Sequence, residues 1–432
     1  MTEQKNINIS LTDLLFPNIF KTFNIAIQPS KMLTAFLAIA IIFAAGKLMD
    51  LHKTVVVSGR LTNADLRISM LNGNMSWPTE LHCFISYPER TDNYIKMYQA
   101  RTSNPKFGVF KVFSSFCIAN FNDGIVYLLQ LQFGKTAVAI SNCVKACVWI
   151  LKYHTIYGII FLTVSFVVMT FAGGAISRGA ALHFAKDQRA GFGACIRFAK
   201  KKYISILGAS TGPMILAVLL GFVIISLIGL LTNIPWAGAI LVAVLFLLVL
   251  ICGMLIAFAI IWSVSSANLI LGGLAFENTD AFDAISRAYT YIYLRPWRFG
   301  IYTILAAFYG AVCYLFLRFF AFVMLWVSRW FLDVGLFAKV SRQPLAKIDA
   351  LWPKPEYFNF LGAMDEVTRP LTQTIAGTII QLEILVIAGL VIAFAISFYF
   401  SAGTVIYCLL RNKVDNVSLG DVFIESVQAQ IE

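Results

Sequence analysis

Residues 237–272 carry no Asp, Glu, Lys or Arg. About 18 consecutive apolar residues already suffice to cross the hydrocarbon of a bilayer, and several stretches of this chain exceed that length. Of the 432 residues, 59% are hydrophobic and 13% charged, and mean hydropathy is +0.78. A soluble domain carries about 25% charged residues. So much apolar surface cannot all be buried in a water-soluble core, and the chain reads as a polytopic membrane protein.

The apolar runs predict about six spans, near 32–50, 156–174, 203–231, 237–272, 299–327 and 375–409. The first, "KMLTAFLAIAIIFAAGKLM", imitates an export signal, with Lys31 ahead of an apolar run and Ala44-Ala45-Gly46 behind it. The polar arm before it is too long for an ordinary signal, which favours an uncleaved anchor. The "TNIPWAG" turn, with Pro235 and Trp236, suits a tight hairpin between the third and fourth spans.

Residues 51–155 are mixed and form the one region large enough for a small module outside the membrane. "TVVVSGRLTNADLRISMLNG" combines β-branched runs with turn signals, and the pattern becomes helical from Phe107. "GKTAVAISNCVKACVWILKYH" spaces Lys135, Asn142, Lys145 and Lys152 among apolar residues. That spacing suits amphipathic helices at the interface or packed on spans.

Basic residues orient the chain. Arg178, Lys186, Arg189, Arg197, Lys200, Lys201 and Lys202 stand against a single Asp187 between the second and third spans, which predicts a cytoplasmic location. Six spans then place both termini in the cytoplasm. The divisions are a cytoplasmic amphipathic arm (1–31), hairpin one with an extracytoplasmic insert 51–155 (32–174), a basic elbow and hairpin two (175–272), an elbow and hairpin three with outer loop 328–372 (273–409), and a cytoplasmic tail (410–432). The expected fold is an all-α membrane bundle of about six transmembrane helices, in three hairpins joined by amphipathic elbows.

The net charge of +12 suits basic loops facing anionic lipid. No nucleic-acid-binding motif accompanies it, so no nucleic-acid partner is expected. His52, His82, His154 and His183 are scattered without metal-ligand spacing. Cys252, Cys313 and Cys408 lie in apolar runs and read as small hydrophobes. Pairing among Cys83, Cys117, Cys143 and Cys147 stays open. No cofactor or metal site is expected.

An internal echo links "AGFGACIRFAKKKY" (190–203) with "DAFDAISRAYTYIY" (280–293), aligning Phe192 with Phe282, Ala194 with Ala284 and Arg197 with Arg287. Fainter echoes are "SLTDLL" (10–15) and "SLGDVFIE" (418–425). Such elbows would lie flat, bury a Phe and Ala face, and present cations to phosphates. The candidate lipid-phosphate contacts are Arg197, Lys200, Lys201, Lys202, Arg287, Arg295 and Arg298.

An amphipathic elbow ahead of a long span resembles bacterial multipass proteins, among them the membrane domain attached to some glycerophosphodiester phosphodiesterases and the inner-membrane YciC-like family. "NIAIQPSKMLTAFLAIA", "SRGAALHFA" and "SRAYTYIYLRPWRF" are also similar to multipass proteins of planctomycete-type bacteria. The resemblance implies a bacterial cytoplasmic-membrane location and carries no catalytic residue across. The phosphodiesterase barrel of one group has no counterpart, because no soluble stretch here is long enough to form it.

Arg318 and Glu383 are the informative intramembrane charges. Both lie eight or nine residues from the predicted outer ends of the last two spans, so antiparallel packing would bring them to similar depth. A lone charge at that depth costs upward of about 2.5 kcal/mol. An ion pair between them is expected. The alternatives are a snorkelling Arg318 with Glu383 in an aqueous pocket, or a proton or substrate relay. Ser263, Ser265, Ser266 and Asn268 read as packing residues. Asp365-Glu366 reads as a solvated loop. No nucleophile elbow, phosphate loop or dinucleotide motif occurs in a suitable context. The functional expectation is a non-enzymatic scaffold or assembly subunit contacting lipids, and protein partners through the insert. The alternative is a transporter or lipid-handling protein using a cavity between hairpins.

Overall fold

The computed structural model describes residues 15–57, 79–99, 106–235, 237–335, 348, 351–361 and 371–424. Residues 10–14 of the first faint echo, Trp236, Asp365-Glu366 and most of loop 328–372 lie outside them.

The described chain is almost entirely helical. Helices α1 (Lys21–Ala26) and α2 (Pro29–Met49) lead to strand β1 (Val55–Val56), α3 (Glu80–Ser86), α4 (Thr91–Gln99) and β2 (Lys106–Phe107). Then come α5 (Val109–Leu129), α6 (Phe133–Tyr153), α7 (Thr155–Lys186), α8 (Phe192–Lys201), α9 (Tyr203–Leu219) and α10 (Ser226–Leu230). The last four are α11 (Gly238–Glu277), α12 (Ala281–Leu294), α13 (Pro296–Gly335) and α14 (Leu371–Asp415).

Among the described residues seven helices are long and apolar enough to cross a membrane: α2, α5, α6, α7, α11, α13 and α14. The protein is therefore a multipass membrane protein. The set differs from the sequence expectation in two places. The stretch 203–231 is interrupted by a π-helical turn at Leu220–Ile225, with Pro213 inside the preceding helix, where it can donate no backbone hydrogen bond. Within the insert, α5 and α6 each reach 21 residues.

The chain forms two compact units. One gathers Met1–Ala35, Met169–Ala307 and Ile396–Glu432; the other gathers Phe36–Val168 and Phe308–Ala395. These units cut across the hairpin divisions drawn along the sequence, because α2, α7, α13 and α14 each contribute residues to both.

In the first unit the C-terminal parts of α7, α11 and α14 form the core with α12. Ile176, Leu271, Phe276, Ala284, Tyr291 and Tyr407 are among its buried side chains. Glycine permits the close approach. A Cβ at Gly272 would stand 2.9 Å from that of Tyr407, and one at Gly403 would strike the Asn268 side chain. Each of these three helices ends on an Asp or Asn with left-handed backbone: Asp187 (φ 54°), Asn278 (φ 55°) and Asn416 (φ 56°). These are the non-glycine residues that best tolerate that conformation.

The second unit contains the folded part of the insert. β1 pairs antiparallel with β2, Val55 opposite Phe107. Val55, Leu81, Phe84, Val109, Val112, Phe116, Ala146, Trp149 and Ile150 make its core. The Asp50 carboxylate caps α5, accepting from the backbone N–H of Phe110 at 2.8 Å and of Lys111 at 2.9 Å. A Cβ at Gly108 would collide with that carboxylate.

Candidate functional site

Among the described residues the densest charge cluster belongs to the first unit and centres on Glu277, the last residue of α11. Its side chain is 8% exposed. Arg287 Nη1 of α12 approaches Glu277 Oε2 at 2.7 Å, and Arg411 Nε of α14 approaches Oε1 at 3.1 Å. Tyr407 donates its hydroxyl to Oε1 at 2.8 Å. Arg287 also holds Asp283 through Nε, and Tyr291 donates to Asp415. The Asp283 carboxylate, with Glu277 behind it, holds the Arg287 guanidinium above its ordinary pKa. Burial pushes the Tyr291 phenol up, and Asp415 adds to the effect. One carboxylate thus ties three helices together. Sequence reading missed it because Glu277 falls just past the predicted end of the fourth span.

Arg178 and Lys31, flanking cations in the sequence pattern, are both buried in the same unit. Arg178 donates to the Ala275 carbonyl at 2.6 Å and the Phe423 carbonyl at 2.8 Å, and lies over the Phe198 ring. Lys31 Nζ donates to the Ile25 carbonyl at 3.0 Å and to the Gln28 side chain, with His183 Nδ1 at 3.5 Å. Burial raises the Cys195 thiol; Lys31 and Arg178 pull it the other way. A single Lys or Arg inside "QPSKML" or "AISRGAA" was the available signal.

The predicted phosphate contacts divide. Arg197, Lys200, Lys201 and Arg295 are exposed. Arg298 is part-buried. Lys202 donates to the Asn278 carbonyl at 2.8 Å, and Arg287 serves the carboxylate cluster. These two are held by the protein itself.

The aligned elbows also differ. α8 buries Cys195 and Ala199, whereas α12 buries Ala284 and Ala288. Ala194 is exposed while its partner Ala284 is buried, and Phe282 is 88% exposed. The inward stripes are thus offset by one residue from the sequence alignment. The echo at 418–425 is no helix over its described residues: Phe423 donates its backbone N–H to the Phe276 carbonyl at 2.9 Å.

In the second unit Arg318 takes partners other than the expected Glu383. Its Nη1 donates to Asn122 Oδ1 at 3.0 Å and to the Tyr314 hydroxyl at 2.7 Å, and its Nε to the Tyr357 carbonyl at 2.9 Å. The rings of Tyr314, Tyr357, Phe358 and Phe360 lie within 5.1–5.9 Å of the guanidinium. Glu383 is exposed. Polar neighbours and ring faces replace the counter-charge. Distances along the helices could reveal only Tyr314, four residues earlier on α13, because the other partners come from α5 and from the 351–361 segment.

Also in the second unit, Glu80 Oε1 meets His154 Nε2 at 2.6 Å, and Thr54 Oγ1 meets His154 Nδ1 at 3.3 Å. His82 is buried beside Thr79 Oγ1 at 2.8 Å and against the Phe116 ring. Burial lowers its pKa to about 4. Among the described residues no group of three or more His, Cys, Asp or Glu is arranged to hold a metal ion.

Searches against family models, curated proteins and solved structures return no match for this chain.

Proposed function

We propose that this multipass membrane protein is a non-enzymatic scaffold or assembly subunit of a bacterial cytoplasmic membrane. One observation carries the reading. Four of the charged and amide side chains within its long helices bind other elements of the protein: Arg318 holds a loop, Arg178 holds two carbonyls, Asn268 donates to the Tyr399 carbonyl at 2.7 Å, and Asn142 donates to Asn120 at 3.1 Å. Such bonds fasten helices rather than mark a passage.

The contact surfaces in this reading are apolar helix faces and the insert. On α6, Val138, Val144 and Val148 are exposed beside Lys145. A cation halfway along an apolar helix requires water or a polar partner. The exposed Arg197, Lys200, Lys201 and Arg295 supply lipid-phosphate contacts.

Gentle purification in native lipid, followed by mass spectrometry of co-migrating species, tests the proposal. A stoichiometric protein partner that is lost on Lys145→Glu supports it. A homogeneous protein carrying a lipid or small molecule overturns it in favour of a transporter or lipid-handling protein.

A further inference from the structure

Helices α5 and α6 pack as an antiparallel pair, and two contacts fix their register. Asn142 donates to Asn120 at 3.1 Å, and a Cβ at Gly124 would lie 3.5 Å from that of Ala139. One turn back along α5 from Asn120 corresponds to one turn forward along α6 from Asn142. Cys117 therefore comes opposite residues 145–146. Ala146 is fully buried there. Cys143 and Cys147 flank it, one helical turn apart on the same face.

Cys117, Cys143 and Cys147 are all part-exposed, whereas Cys83 is buried in α3.

We propose that Cys117, Cys143 and Cys147 form a redox site, in which Cys117 makes an inter-helix disulfide with Cys143 and can exchange it for one with Cys147. Two S–H bonds break and one S–S bond forms. Two electrons and two protons pass to an acceptor, which we assign by class as a lipid-soluble quinone, reduced to its quinol. The thiols lie near the middle of two helices apolar enough for lipid, so an acceptor dissolved in lipid reaches them. In the exchange step, the Cys147 thiolate attacks the Cys117 sulfur and Cys143 leaves as thiolate, with no net electron change. Either bond fastens the α5–α6 hairpin midway along its length. The site is independent of the assembly reading.

The test uses the full chain, fully reduced and reconstituted in lipid nanodiscs. Menadione is added, the protein is denatured, and free thiols are counted by alkylation. The expected result is loss of two of the eight thiols, with a cross-linked peptide pair containing Cys117. Cys117→Ser abolishes the loss. Cys143→Ser preserves it through a Cys117–Cys147 link, and the double variant Cys143→Ser, Cys147→Ser abolishes it. Eight free thiols after both menadione and the thiol oxidant diamide overturn the site, as does a loss unaffected by Cys117→Ser. Loss with diamide but not menadione overturns the quinone assignment.

Discussion

Glu277 and Arg287 lie 2.7 Å apart, yet they differ in burial, 8% against 41% side-chain exposure. The carboxylate is enclosed by cations from two helices, whereas the guanidinium has a wet side and a second carboxylate in Asp283. That asymmetry makes the two partners unequal in any substitution.

Glu277→Ala takes from Arg411 its buried carboxylate, leaving it only the more exposed Asp421, and removes the acceptor of Tyr407. Leaving such groups short of a partner costs about 1–3 kcal/mol. Arg287→Ala, at a part-exposed position, should cost about 1 kcal/mol or less. Thermal unfolding of the two variants in one detergent should show the larger midpoint drop for Glu277→Ala. Equal drops would mean that Glu277 is not the centre of the cluster.

His82 gives the second unit a pH dependence. Its folded pKa of about 4 lies below the ordinary 6.5 because burial disfavours the imidazolium. Between these values the unfolded chain binds a proton that the folded chain excludes, so stability rises with pH. The contribution is complete above pH 6.5, falls as pH drops towards 4, and amounts to about 3 kcal/mol. Fluorescence of Trp149, buried in the same core, should report loosening over that window at intermediate denaturant. His82→Phe should flatten this component.

Arg318 and Glu383 should behave independently. Arg318→Ala removes the contacts to Asn122, Tyr314 and Tyr357, and should cost about 3 kcal/mol or more, as for truncation within a buried hydrogen-bonded network. Glu383→Gln should change stability by less than about 0.5 kcal/mol. The charge swap Arg318→Glu with Glu383→Arg should not recover expression lost in Arg318→Glu. Recovery would restore the direct pair suggested by sequence depth.

Gly403→Ala places a methyl group against the Asn268 side chain. Overpacking of this kind costs about 1–3 kcal/mol. Adding Asn268→Ala should return part of the loss, because the obstructing amide is gone. A strictly additive double variant, measured by thermal unfolding, would contradict the close approach of α11 and α14.

Retention of anionic lipid should separate the basic residues. Arg197→Glu with Lys200→Glu should reduce the number of anionic lipids seen by native mass spectrometry. Arg287→Gln should leave it unchanged, because Arg287 is held by Glu277 and Asp283. Equal losses would place phosphate at the carboxylate cluster.

The sequence by itself determined the environment and most helices of this protein. Charge-free runs such as 237–272 admit little besides membrane helices, and α11 follows that run closely. The apolar periodicity beyond Phe107 gave α5 and α6 their helical character. Tertiary structure decided the partners. Arg318 finds Asn122 and the ring faces of the 351–361 segment, Glu277 gathers cations from α12 and α14, and Cys117 falls between Cys143 and Cys147. Hydropathy responds to the local run of side chains and so survives as a one-dimensional signal. A polar group's partner depends on which helix face lies opposite at a given depth, and that register is set by glycine contacts such as those of Gly272 and Gly403.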